Sequence, residues 1–200
     1  MCLFLKGITR SVVFLACVFV TSVANALHVD TSIVGDKAYF LFSAPNKIAV
    51  YDMAQQSQGA DITLSKIPTA FAIEGNTAYI AFHRELRALD LTTGNSQFVR
   101  NASQDIVQVT LLGNYIYAME SSGSTLVINR TGFALVETEP SNYWAGPSQV
   151  ASAVNQAIFT RSSGISPSDI SKMSIGSDGA IVSTTDSSYH GDYPDATRLF

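Results

Sequence analysis

Cysteine is almost missing from this 200-residue chain: only Cys2 and Cys17 occur, and both lie within the first 26 residues. Charge is scarce too, with 14% Asp, Glu, Lys and Arg, and there are only three histidines and one tryptophan. No uninterrupted apolar stretch reaches the roughly 20 residues that cross a bilayer as a helix. Each shortage excludes something. If the first 26 residues are removed, no thiol is left for a disulfide scaffold, a zinc-thiolate site or a cysteine nucleophile. No cluster of Lys and Arg is present, which excludes a nucleic-acid partner of the usual electrostatic kind.

The first 26 residues have the order of a secretory leader. Met1 to Arg10 carries Lys6 and Arg10 without an acid, Ser11 to Val20 is short and apolar, and Ala24-Asn25-Ala26 puts small residues at a cleavage position. The expected cut follows Ala26, giving a secreted or periplasmic protein with no membrane insertion after cleavage. A retained anchor and lipid attachment at Cys17 are the two alternatives. Cleavage removes Lys6 and Arg10 and leaves ten basic against sixteen acidic residues, a net charge of −6 on about 174 residues. That length suits one domain with its own core.

What is abundant is Ser, Thr, β-branched and aromatic residues in short bursts, a strand-and-turn composition. The bursts repeat. Ile33, Gly35, Ala38, Tyr39 and Phe42 return forty residues later as Ile73, Gly75, Ala78, Tyr79 and Phe82. A further shift of thirty-eight carries Gly75, Asn76, Tyr79, Thr93 and Gly94 onto Gly113, Asn114, Tyr117, Thr131 and Gly132. At a shift of forty-two, Asn155, Gln156, Ile158 and Phe159 make a weaker fourth copy.

Gly35-Asp36, Gly75-Asn76 and Gly113-Asn114 lie between apolar runs and supply the positive φ that two-residue hairpins need. Apolar runs follow at Ala38 to Phe42, Ala78 to Phe82 and Tyr115 to Met119, as expected of strands covered on both faces. Third strands are expected at Ile48 to Tyr51, Leu86 to Leu91 and Thr125 to Asn129. More polar fourth strands follow at Gln97 to Arg100 and Ala134 to Thr138.

Four short antiparallel strands in about 40 residues describe a propeller blade. A parallel β-helix has shorter coils, and an immunoglobulin-like sandwich does not repeat its sequence. The expected fold is therefore an all-β β-propeller of about four four-stranded antiparallel blades, at residues 30–66, 67–104, 105–145 and 146–187. A further blade starts at 188–200, so the chain reads as the N-terminal part of a larger propeller, with four-bladed closure as the alternative. One helical turn is expected at Ser166 to Ile170.

The second repeat, Gly75-Asn76-Thr77-Ala78-Tyr79-Ile80-Ala81-Phe82 followed by Arg87-Ala88-Leu89-Asp90-Leu91-Thr92-Thr93-Gly94, resembles the quinoprotein-like (YVTN/PQQ-type) blade repeat of bacterial propellers. The resemblance implies a propeller in the periplasm or at the cell surface, with Asp90 and Gly94 locking a strand end. The pattern departs at Phe98, near where quinone-cofactor enzymes carry Trp; at Asn129, where Asp is expected; and at Asp52, in a differently spaced loop. No cofactor is carried over.

Three groups are candidate ligand contacts. His83, Arg84 and Glu85 form a charged tip between two strands, and such tips build a propeller face. Tyr143 and Trp144 place an aromatic pair between the third and fourth blades, suited to a peptide or glycan or else to filling a seam. Tyr189, His190, Asp192 and Asp195 gather donors in one stretch with Asp186 and Tyr193, though the spacing matches no metal loop. Against the first and third stands the plain reading of a solvated turn. Asn101-Ala102-Ser103 and Asn129-Arg130-Thr131 are glycosylation sequons in a eukaryotic secretory pathway. No nucleophile elbow, phosphate loop or His-Glu-x-x-His helix occurs. The expected function is a non-catalytic binding or scaffold propeller for a protein, peptide or glycan. The alternative is a propeller enzyme, a hydrolase, lyase or cofactor-dependent oxidoreductase, with its site at the channel mouth.

Overall fold

The structure, a computed structural model, describes residues 26–140, 148–154, 156–162 and 170–187. These residues are all-β, in four antiparallel sheets, and no helix occurs among them. The first sheet holds β1 (Leu27–Val34), β2 (Lys37–Ala44), β3 (Asn46–Asp52), β4 (Ser57–Gln58) and β5 (Ile62–Thr63). The second holds β6 (Ala70–Glu74), β7 (Thr77–Phe82), β8 (Glu85–Asp90) and β9 (Ser96–Asn101). The third holds β10 (Ile106–Leu112), β11 (Tyr115–Glu120), β12 (Thr125–Asn129) and β13 (Leu135–Glu139). The fourth holds β14 (Ser148–Val154), β15 (Ala157–Ser162), β16 (Ile170–Ile175) and β17 (Ile181–Ser187).

Within each sheet the strands pair in chain order, as hairpins dictate. The first hairpins close with two residues, pairing Val34 with Lys37, Glu74 with Thr77, Leu112 with Tyr115 and Val154 with Ala157. Gly35, Gly75 and Gly113 take φ of 57°, 56° and 55°, while Asp36, Asn76 and Asn114 keep negative φ. A positive φ at the first loop residue alone is the type II′ arrangement, so glycine is required there and the second position is free. The second residue acts through its carbonyl. It accepts the N–H arriving beyond the third strand in all four sheets: Met53 to Asp36, Leu91 to Asn76, Arg130 to Asn114 and Ile175 to Gln156.

The first sheet departs from four strands. Its outer position is split, because Tyr51 and Ile48 of β3 pair with Gln58 and Ile62, so four steps along the outer chain match three along β3. The extra residue breaks the ladder at Gly59 to Asp61, a bulge that leaves two short pieces in place of one strand.

The second strands are covered on both faces, and β7 and β11 are buried at every position after the first. Alternate residues point to opposite sides and make three separate cores. Tyr39, Leu41 and Ile48 of the first sheet pack on Phe71, Ile73, Ala78, Ile80 and Phe82 of the second. Tyr79, Ala81 and Leu86 pack on Ile116, Ala118, Leu126 and Ile128. Tyr117, Met119 and Val127 pack on Ile158, Met173 and Ile175. Each large aliphatic side chain buried this way contributes about 1.5–3 kcal/mol. The first strands meet in order, β1 with β6, β6 with β10 and β10 with β14.

Polar bonds cross the last two seams. Tyr117 Oη donates to the Gly179 carbonyl at 2.8 Å, and burial pushes the Tyr117 phenol well above its ordinary range. Gly179 has φ of +85°, and a Cβ there would stand 2.5 Å from the Tyr115 ring, so glycine is needed twice over. Arg130 forms an ion pair with Glu74 of the second sheet.

Candidate functional site

The turn that ends β8 explains the Asp90 motif. The Asp90 carboxylate Oδ1 accepts the N–H groups of Thr92 at 2.8 Å and Thr93 at 3.0 Å, and the Asn76 amide at 3.1 Å. The Asp90 carbonyl accepts Gly94 N–H at 2.8 Å, with Gly94 at φ 73°. The backbone donors of Thr93 and Thr92 hold the Asp90 carboxyl below the usual carboxylate range. Asn129 does the same work in the third sheet, its Oδ1 accepting Thr131 N–H at 2.7 Å, and Asp52 Oδ1 accepts Gln55 N–H at 2.8 Å in the first. These are turn-forming residues.

His83 and Arg84 are the two loop residues of the β7–β8 hairpin, since Phe82 pairs with Glu85. His83 carries φ of 55°, a left-handed conformation that a histidine holds only under constraint. The constraint is visible: the His83 carbonyl accepts Ile106 N–H at 2.8 Å and the Arg84 carbonyl accepts Ala102 N–H at 2.7 Å. The tip therefore grips the crossover from the second sheet to the third. From the other side, the β11–β12 hairpin holds the same crossover. Ser121 N–H donates to the Asp105 carbonyl at 2.7 Å, and the Glu120 carboxylate accepts Ser103 N–H at 2.6 Å, Ser103 Oγ–H at 2.9 Å and Gln104 N–H at 3.1 Å. Glu120 is only 2% exposed.

The outer surface of this braced crossover is polar and open. His83 Nδ1 lies 3.3 Å from Asp105 Oδ2, and Arg84 Nε lies 3.7 Å from Asp105 Oδ1, with all three side chains about half exposed or more. Glu85 plays a different part. It pairs with Lys66 and, at 2.6 Å, with Arg87, which also donates to Ser96 Oγ at 2.6 Å. Hydrogen bonds from Lys66 first, then Arg87, hold the Glu85 carboxyl below its ordinary range. Glu85 is thus occupied by Lys66, in the connection before β6, and by Arg87 of its own strand, and the accessible set is His83, Arg84 and Asp105. One imidazole, one guanidinium and one carboxylate on a fixed backbone can bind a ligand through charge-assisted hydrogen bonds.

Tyr143, Trp144, Tyr189, His190, Asp192 and Asp195 lie outside the described residues, as does the helical turn expected at Ser166 to Ile170 apart from Ile170, which belongs to β16. The leader, residues 1–25, lies outside them as well. His28 sits on β1, its Nε2 2.8 Å from Thr31 Oγ1 and its ring edge-on to Phe42. Among the described residues no group of three or more His, Cys, Asp and Glu could hold a metal ion, and no helix is long and apolar enough to cross a membrane. Sequence reasoning missed Asp105 and Glu120. Asp105 had no signal beyond its place in a connection. Glu120 had one, because it falls on the repeat position of Phe42 and Phe82, where a carboxylate needs a reason.

No protein family and no curated protein matches the sequence. Solved structures do. The chain is similar to the computationally designed Ika4 protein, with a TM-score of 0.59 at 11% identity over 76% of this chain and 93% of that one. It is also similar to the computationally designed Ika8 protein, with a TM-score of 0.55 at 10% identity over 79% of this chain and 61% of that one. At such identities the likeness concerns the fold alone.

Proposed function

We propose that the four sheets are blades of a quinoprotein-like β-propeller and that the chain is a non-catalytic binding scaffold, exported by its leader to the cell envelope or exterior. The propeller reading is supported by sheets stacked face to face in chain order with their first strands adjacent, and by the locked turn at Asp90. The observation that carries the binding reading is the contrast at the β7–β8 tip. The backbone of His83 and Arg84 is bonded into the crossover, while their side chains and Asp105 stand in solvent. A surface fixed beneath and exposed above loses little entropy on binding. Its mixed charges suit a polar ligand, a protein, peptide or glycan, with Arg84 as anchor.

The test probes a printed glycan array and a random peptide library with the wild-type protein and with a His83→Ala/Arg84→Ala variant. Capture from either set that falls at least about tenfold in the variant, a loss of one charge-assisted contact, is the expected result. Equal capture by the variant, or none by the wild type, overturns the reading.

A further inference from the structure

Among the described side chains, arginines are spent on acids with one exception. Arg84 meets Asp105, Arg87 meets Glu85 and Arg130 meets Glu74. Arg100 meets none. Its Nε is buried without an acceptor, and no ion pair or hydrogen bond reaches the rest of the group. Holding a guanidinium nitrogen out of water with no acceptor costs stability, so its place in the fold needs a reason.

The register of β9 shows where Arg100 stands. Leu86 pairs with Arg100 and Arg87 with Phe98, so a bulge sets Val99 and Arg100 together against Leu86. Leu86, Val99 and Ala102 pack toward the third sheet, and Arg100, paired with Leu86, lies on the same side. Past the bulge the ladder is regular: Glu85 pairs with Asn101, and Ala102 N–H reaches the Arg84 carbonyl at 2.7 Å. Arg84 is therefore the diagonal neighbour of Arg100 on that face, at the usual diagonal separation of about 7–8 Å. Its side chain turns the same way, with Nε 3.7 Å from Asp105 on the crossover to the third sheet. Of the acids on this tip and crossover, Glu120 is held by Ser103 and Gln104, and Glu85 by Lys66 and Arg87. That leaves Asp105, half exposed, against two guanidinium groups and the His83 ring.

We propose that Arg84 and Arg100 form one site for an extended acidic peptide whose acids fall at every second residue. This names the ligand of the tip and rests on the binding reading given for it. Alternate side chains of an extended chain point to one side about 6.6 Å apart, close to the diagonal spacing of the two arginines. Acids at adjacent positions point to opposite sides, so only one of them meets the pair. Each guanidinium is a planar fork that takes a carboxylate through two parallel N–H donors. Arg84 approaches Asp105 through Nε, which leaves its terminal nitrogens for the ligand. The ligand's second carboxylate supplies Arg100 with the counter-charge that the chain itself withholds. Because the chain as a whole is acidic, the peptide is held by these two contacts and not by a general attractive field.

The test titrates the purified chain into labelled peptides of matched length and follows fluorescence anisotropy. One peptide alternates Asp with Ser. A second has the same composition, with adjacent pairs of Asp separated by pairs of Ser, so that no two acids lie two residues apart. A third carries Asn in place of every Asp. The alternating peptide is expected to bind at least about tenfold more tightly than the Asn peptide, the worth of one charge-assisted contact, and several-fold more tightly than the paired one. Arg100→Gln should lower that affinity about tenfold and abolish the preference for alternation, with unchanged circular dichroism showing that the variant folds. If it does not fold, Arg100→Lys takes its place, keeping the charge without the fork, and a several-fold loss is expected. Equal affinity for all three peptides, or for the wild type and the Arg100 variant, overturns the proposal, as does binding of a uronic-acid oligosaccharide where no peptide binds. The two readings fail separately. Capture from the arrays that falls in His83→Ala/Arg84→Ala while Arg100→Gln leaves the alternating peptide unaffected removes Arg100 and keeps the tip. No change in either variant removes both.

Discussion

Truncating Glu120 is the sharpest perturbation of the braced crossover. The carboxylate is 2% exposed and receives two backbone N–H groups, Ser103 and Gln104, together with the Ser103 hydroxyl. Glu120→Ala leaves those donors facing a void. Each buried donor left unsatisfied costs about 1–3 kcal/mol, so with two backbone donors a loss of about 3 kcal/mol is expected. For a domain of this size that corresponds to a melting temperature about 6–12 °C lower. Glu120→Gln keeps an oxygen for the two N–H groups and gives up only the charge, so about 1 kcal/mol is expected. Ser103→Ala removes one donor and its need together, and belongs at about 1 kcal/mol or below. Urea unfolding of the three variants measures the order. If Glu120→Ala costs no more than Ser103→Ala, the carboxylate is not what holds the crossover.

Three further outcomes are expected. His83→Gly should raise stability by about 0.5–1 kcal/mol, because glycine accepts the +55° φ without strain and the weak, exposed contact to Asp105 gives little back; a loss of stability in thermal melts would refute this. Gly179→Ala should cost about 2 kcal/mol more than Gly35→Ala: both have positive φ, but only at Gly179 would the new Cβ meet a neighbour, Tyr115, and equal midpoints in urea would contradict it. On acidification, Asp90, held down by the Thr93 and Thr92 N–H groups, and Glu85, held down by Lys66 and Arg87, supply stability that is present above the ordinary carboxylate range and lost as pH falls through their depressed folded values. Asp90→Asn should flatten that acid limb, as followed by circular dichroism between neutral pH and about pH 2; an unchanged acid limb would show that the turn does not feel the charge.

Much of the strand pattern was legible because it depends on local rules. A glycine that must take positive φ, followed by an apolar run, marks a hairpin wherever it occurs, and Gly35, Gly75 and Gly113 all obey. The third strand expected at Thr125 to Asn129 is β12 to the residue. Where the rule is not local, reading fails. The split outer strand of the first sheet follows from one surplus residue in a register that only β3 reveals. The proposed binding surface was half legible. A charged tip at His83 to Glu85 is visible in the sequence, but Glu85 turns inward to Lys66 and Arg87, and its place is taken by Asp105, twenty-one residues past Arg84. A partner so distant along the chain is set by how one sheet stacks on the next, which no spacing encodes.

That division has a consequence for how such a chain can acquire a ligand. The seams carry the stability: Tyr117 to Gly179, Arg130 to Glu74 and the three apolar cores each join one sheet to the next. The tips carry little of it through their side chains, because the bonds that fix the crossover come from the carbonyls of His83 and Arg84 and are indifferent to what those residues bear. Apart from His83, whose positive φ restricts what can replace it, exposed side chains here such as Arg84 and Asp105 are therefore free to change at low cost, within about 0.5 kcal/mol. Glu120 is the counterweight. By giving a repeat position that was Phe42 and Phe82 to a carboxylate, the third sheet trades apolar contact for a rigid connection, and rigidity is what a variable exposed surface needs if it is to bind one partner rather than many.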